Sequence, residues 1–288
     1  MGIFKGFTFV VSFSAAPGAA GPTATTAISA HLHSRNVSAD THLSTSQLSH
    51  SILGAAGSSH NSQNQADADY RLADLHPAGD SAWLGSKEFV VKHIEDAGGV
   101  VAEDLGSILD VRNAAARNLV SNSVVVLVAG RPSRTKKFLM SVALGIPIVS
   151  SMWIRACLAE KTLLDYNAFR LSNGMSLELG HWCAAPPVQG GVFEGLRIYV
   201  QTKDDVKRAD LEEILHSGGA QTIKKKAFRA NVKCDFVVCQ VKPSNDDVMF
   251  ISQRSSAKIA TFEWVSQCII HQRLLPLTAH PKYVEWDD

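Results

Sequence analysis

The feature that most restricts the fold is a pattern used at two places in the chain. FKGFTFVV, starting at Phe4, returns as FEGLRIYV from Phe193; EDAGGVV returns as LHSGGAQTI, VVVLVAG as DFVVCQV, and SSMWIRACL as TFEWVSQCI. Each copy ends on Trp-x-x-x-Cys, Trp153 with Cys157 and Trp264 with Cys268. Self-similarity in this order means one structural unit present in tandem. The parts of the unit follow from their periods. In GSKEFVVKHIEDAGGVV, Phe89, Val90, His93, Ile94 and Ala97 fall on one helical face, and Gly98 with Gly99 stops the helix before a short strand. SVVVLVAG and IPIVSS are continuous apolar runs, as expected of parallel strands covered on both faces. A helix opening at Arg134 separates them, and MWIRACLAEK follows as an amphipathic helix. Strand, helix, strand, strand, helix, strand, helix is an α/β unit, with Trp153 and Trp264 expected to anchor their last helices in the core.

The first copy is interrupted. From about Ser14 to Ala82, Ser, Ala, Thr, His, Asn and Gln dominate, and Arg35 and Asp40 are the only charges before Asp67. Such a segment cannot bury enough apolar surface to offset its ordering entropy, so it is expected to be a disordered insertion. Its histidines, His31, His33, His42, His50 and His60, are irregularly spaced and without thiol or acidic companions, which points to solvated side chains. The expected organisation is repeat 1 over 1–171, a linker over 172–191, and repeat 2 over 192–288.

Charge and cysteine usage narrow the function. Lys and Arg number 28 against 27 Asp and Glu, a net charge of +1, so no global basic field drives nucleic-acid binding and any anion site must be local. Direct DNA binding is therefore not expected. Cys157, Cys183, Cys234, Cys239 and Cys268 form no CxxC pair and lie mostly in apolar runs, the usage of reduced, buried thiols in an intracellular protein. The opening MGIFKGFTFVV resembles a secretory leader in outline, but it alternates like a strand and recurs at Phe193. No stretch approaches the ~18 apolar residues of a membrane span.

The local anomaly is SRTKKFLMSVALGIP: Arg134, Lys136 and Lys137 crowd a helix start, where cations are disfavoured by roughly 0.3–1 kcal/mol each. The order of apolar strand, helix ending in Gly-Gly, apolar strand, basic-starting helix, GIP-V-S strand and Trp-containing helix resembles the BRCT domain, here in tandem. RTKKFLMSVALGIPIVSSMW, SNGMSLE and HPKY resemble the C-terminal BRCT pair of the p53-binding protein 1 family, which also carries a polar insertion after its first strand. The resemblance implies two repeats, each a four-stranded parallel sheet flanked by three helices. It also implies a non-catalytic, nuclear phosphopeptide reader of the DNA-damage response whose ligand is a phosphorylated histone tail, with p53 as a further partner. The family's asparagine in the YNAF turn is replaced here by Ala168, a departure on the p53 side.

By the same resemblance, phosphate is held by Ser12 at the end of the first strand, an N–H at Phe13, and Lys137 in the first turn of the second helix. Arg134 would hold the peptide chain or its terminal carboxylate. The chemistry is sound: ligands of parallel sheets sit at the carboxyl ends of strands beside helix N-termini, and a phosphate of about −1.5 to −2 turns a cation penalty into charge-assisted hydrogen bonds. Lys136 is expected to point away from Lys137 and be solvated. In repeat 2, Asp204, Asp205, Asp246 and Asp247 stand at the corresponding positions and would repel phosphate. Neither repeat supplies a nucleotide loop, nucleophile elbow or paired acid and base, so no enzyme and no cofactor are expected.

Overall fold

The computed structural model describes residues 2–13, 86–106, 124–184, 191–230 and 232–286. The insertion expected over about 14–82 lies outside the described residues. Repeat 1 contains β1 (Phe7–Ser12), α1 (Lys87–Asp96), β2 (Val100–Ala102), β3 (Val124–Ala129), α2 (Lys136–Leu144), β4 (Ile148–Ser150) and α3 (Met152–Glu160). Among the described residues its strands pair in parallel in the order β2-β1-β3-β4, with Ser12 opposite Ala129 and Ala129 opposite Ser150. A short 3-10 turn at Tyr166–Phe169 leads to a linker hairpin, β5 (Gly174–Met175) with β6 (Trp182–Cys183).

Repeat 2 contains β7 (Arg197–Gln201), α4 (Asp205–Ser217), β8 (Gln221–Ile223), α5 (Lys225–Arg229), β9 (Phe236–Cys239), α6 (Asn245–Arg254), β10 (Lys258–Thr261) and α7 (Phe262–His271). Its parallel sheet runs β8-β7-β9-β10, the topology of repeat 1 again. One element departs from expectation. Ile223 ends the edge strand β8, and Lys225 and Lys226 then open the short helix α5, a fourth helix where three are expected in each repeat. Phe228 explains it: fully buried, its ring stacks on Tyr199 of the central strand at 4.3 Å, so the lysines before it are carried along on the outer side.

The period-2 alternation of β1 and β3 splits the core. Phe9, Val11, Val126 and Val128 pack with Val90 and Ile94 of α1 and with Trp153, Ile154 and Cys157 of α3. Val10, Val125, Leu127 and Ala129 face the other way, onto α2. That second cluster does not end at the repeat boundary. It continues through Phe138, Leu139 and Val142 of α2 into Leu211 and Leu215 of α4 and Trp264, Val265 and Cys268 of α7, then to Ile198, Val200 and Val238. Helix α2 is therefore covered by its own sheet on one side and by two helices of the other repeat on the other. This is why every residue from Phe138 to Ala143 is buried, an all-round burial that only an interior helix shows.

The recurring Trp-x-x-x-Cys has a single geometric cause. Trp153 Nε1 donates to the Leu164 carbonyl at 3.0 Å, and Cys157 Sγ accepts the Leu164 N–H at 3.3 Å. Trp264 Nε1 and Cys268 Sγ treat Leu275 identically, at 2.9 and 3.3 Å. The two side chains lie one turn apart on their helix and together satisfy both polar groups of one outgoing residue, fixing where the chain leaves. Burial pushes the Cys268 thiol up to about 12, so it stays a neutral acceptor. The Gly-Gly stops are equally specific. Gly98 and Gly219 take φ of +84° and +90°, and a Cβ on Gly218 would stand 2.6 Å from the Phe193 ring.

Candidate functional site

Helix α2 starts at Thr135, whose extended backbone and side-chain acceptance of the Phe138 N–H make it an N-cap. The parallel register brings the end of β1 to this cap: Ser12 Oγ lies 3.1 Å from Thr135 Oγ1, and Ser133 Oγ lies 3.2 Å from it on another side. Three hydroxyls thus meet at the N-terminus of α2, whose first turn holds no acid. Ser12 is buried at 8% exposure, whereas Phe13, next in the chain, lays its side chain against the α1/α3 cluster.

The three cations of the helix start diverge. Arg134 Nη1 donates to Glu263 of α7 in an ion pair between the repeats. Lys136 Nζ reaches Asp210 at 2.8 Å and Glu213 at 2.7 Å, both on α4. It points away from the strand end as expected, yet the expectation that it is solvated is corrected: its partners come from the opposite repeat. The two acidic partners raise the Lys136 pKa despite desolvation by burial, which is the largest single influence and acts the other way. These two contacts offset part of the electrostatic cost of cations at a helix N-terminus. Because the groups are partly solvated, a Lys136→Met/Asp210→Ala double-mutant cycle in denaturant should return a coupling of about 0.2–1 kcal/mol; a value of zero would leave the pair a geometric coincidence.

Lys137 is different. Its ammonium donates to the main-chain carbonyl of Glu103, in the turn after β2, and no ion pair holds it among the described residues. Burial lowers its pKa first and the like charge of Lys87 second, with Asp104 and Glu103 opposing. Lys87 is the residue that sequence reasoning missed. It is the first residue of α1, behind the cap Ser86, and lies exposed. The signal available was only that α1, like α2, begins at the carboxyl end of the sheet. Lys137, at the helix start where three hydroxyls meet and with Lys87 as a like-charge neighbour, can accept a dianion, which would offset that repulsion. Arg134, with one nitrogen committed to Glu263, retains further N–H groups of its fork for a main-chain carbonyl or carboxylate.

Repeat 2 closes the equivalent place from within. Gln201, at the end of β7, donates to Asp247 Oδ1 at 3.2 Å. Asp247 in turn forms a capping box with Ser244, whose hydroxyl donates to Oδ2 at 2.7 Å and accepts the Asp247 N–H at 3.1 Å. The Ser244 hydroxyl holds the Asp247 carboxyl below its usual range. A carboxylate already occupies that helix start. Among the described residues no group of His, Cys, Asp and Glu could hold a metal, and no helix is long and apolar enough to cross a membrane.

Comparison with known proteins places both halves. The model of the BRCA1 C Terminus (BRCT) domain matches residues 191–286, and that of the Regulator of Ty1 transposition protein 107 BRCT domain matches residues 61–171. The breast cancer type 1 susceptibility protein homolog of Rattus norvegicus is 25% identical over 154 residues, 51% of this chain and 8% of that protein. The chain therefore spans a small part of that relative. Among solved structures, the BRCT5-BRCT6 domains of S. pombe Brc1 align at 19% identity over 64% of this chain and 87% of that one, TM-score 0.43. The complex of Rtt107p with a phosphorylated histone aligns at 14% identity over 71% and 88%, also with TM-score 0.43. With one BRCT model on each side of the linker, and the same sheet order in each half, the chain is a tandem pair of BRCT domains.

Proposed function

We propose that this tandem pair is a non-catalytic reader of phosphoserine in a histone tail at DNA breaks, acting in the nucleus as part of a DNA-damage-response mediator. Repeat 1, over 1–171, reads the phosphate, and repeat 2, over 192–288, completes and stiffens the groove. The observation that carries the reading is Lys137: a partly buried ammonium that donates to the Glu103 carbonyl and, among the described residues, makes no ion pair, with Lys87 as a like-charge neighbour, at the helix start where the Ser12, Thr135 and Ser133 hydroxyls converge. Ser12, the N–H at Phe13, Lys137 and Lys87 take the phosphate, and Arg134 takes the chain beyond it. The likeness of RTKKFLMSVALGIPIVSSMW to the p53-binding protein 1 family supports a histone tail as the ligand class.

The test is binding of a phosphoserine-ended histone-tail peptide and its unphosphorylated twin, to the wild type and to Lys137→Met. The expected result is binding of the phosphorylated peptide alone, weakened by about 1.5–3 kcal/mol in the variant, roughly ten- to 150-fold. Equal binding of both peptides would replace this reading by a phosphate-independent scaffold, of which a p53-like protein is the natural ligand.

A further inference from the structure

A second basic surface lies on repeat 2 and has no share in the phosphate site. Lys225, Lys226 and Arg229 of α5 and Lys233 of the turn after it are all exposed. In a helix, residues three and four apart share a face, so Arg229 stands beside both Lys225 and Lys226. The Val232 N–H bonds to the Ala227 carbonyl at 3.3 Å, folding the segment that carries Lys233 back against the helix. Phe228 is the inward anchor of this helix, fully buried among Tyr199, Val237 and Ile251, so the cations stand on its outer side.

Among the described residues no carboxylate holds any of the four. Their neighbour Lys224 is held, by Glu212, and the nearest acid in sequence, Asp235, spends an oxygen on the Arg197 N–H at 2.8 Å. The large apolar side chains that are exposed in repeat 2, Val206, Val241, Val248, Met249, Leu274 and Val284, all lie on other segments. The α5 segment thus exposes point charges and no large apolar side chain of its own with which to read the side chains of an acidic peptide. It suits a partner whose charge is regular and whose recognition needs only phosphate neutralisation.

We infer that this α5 surface contacts the phosphate backbone of duplex DNA, independently of the phosphoserine site and without base readout. Four cations set a modest, strongly salt-dependent affinity, in keeping with a chain whose net charge is only +1. If the phosphate site reads a histone tail, the two contacts would fall on one chromatin particle and reinforce each other through effective concentration.

The experiment is fluorescence anisotropy of a labelled 20-base-pair duplex at several salt concentrations, with the wild type, Lys225→Glu/Lys226→Glu/Arg229→Glu, and the milder Lys225→Gln/Lys226→Gln/Lys233→Gln. For three to four neutralised phosphates, raising salt from 50 to 200 mM should weaken wild-type binding about 40- to 150-fold. Both variants should lose at least tenfold at 50 mM with unchanged melting temperature, while Lys137→Met binds the duplex like the wild type. No duplex binding by the wild type at 50 mM, or equal binding by the charge-reversed variant, would overturn the inference. So would capture of polyglutamate in preference to the duplex, which would assign the surface to an acidic protein instead.

Discussion

Replacing Trp264 by alanine should destabilise the whole chain by about 3–5 kcal/mol and abolish peptide binding, although no residue of the phosphate site belongs to its repeat. The indole is fully buried, lies 4.5 Å from the Phe236 ring and 5.9 Å from Phe193, and donates to Leu275. Truncation removes transfer energy, leaves a cavity and orphans a buried carbonyl. The loss propagates because α7 is one of the two helices that cover α2, in a single cluster with Phe138 and Leu139. Against a typical total stability of about 5–15 kcal/mol the change is large. Urea denaturation should give one transition for both repeats, shifted to lower denaturant. Two separate transitions, with repeat 1 unmoved, would mean that the common core does not couple the repeats.

Lys137→Glu should separate stability from function in the opposite direction. A carboxylate in the first turn of α2 suits the partial positive charge of the helix N-terminus and relieves the repulsion with Lys87, against a lost bond to the Glu103 carbonyl and new repulsion from Asp104 and Glu103. Stability is expected to hold or rise by up to about 1 kcal/mol. Binding of a phosphoserine peptide should meanwhile fall by more than about 100-fold, because an attractive charge becomes a repulsive one in a partly desolvated place. Thermal melting and peptide titration of the same preparation read both quantities. A protein that binds poorly because it melts early would show instead that Lys137 is structural, tying α2 to the Glu103 carbonyl.

Much of this was legible in the sequence because it is periodic. The apolar runs VVVLVA and FVVC became central strands, Gly98 and Gly219 became helix stops with positive φ, and both tryptophans became buried anchors. Three things were not legible. The destination of Lys136 depends on Asp210 and Glu213, on a helix of the other repeat, and no local pattern reports how two units dock. Lys87 follows the long polar segment, so its proximity to Lys137 is created by the sheet alone. Helix α5 is too short to show a helical period, and its formation rests on tertiary burial of Phe228, stacked on Tyr199 and packed with Val237 and Ile251.

The two-sided covering of α2 also bears on what happens to incomplete copies of this chain. Synthesis that stops before Phe262 would still yield Ser12, Lys87, Arg134 and Lys137, every side chain assigned to the phosphopeptide. It would also yield an apolar helix with part of its roof missing, its Phe138 and Leu139 presented to chaperones and proteases. Nonsense and frameshift changes that remove α7 should therefore act as abundance defects, detectable as lost steady-state protein before any ligand is tested.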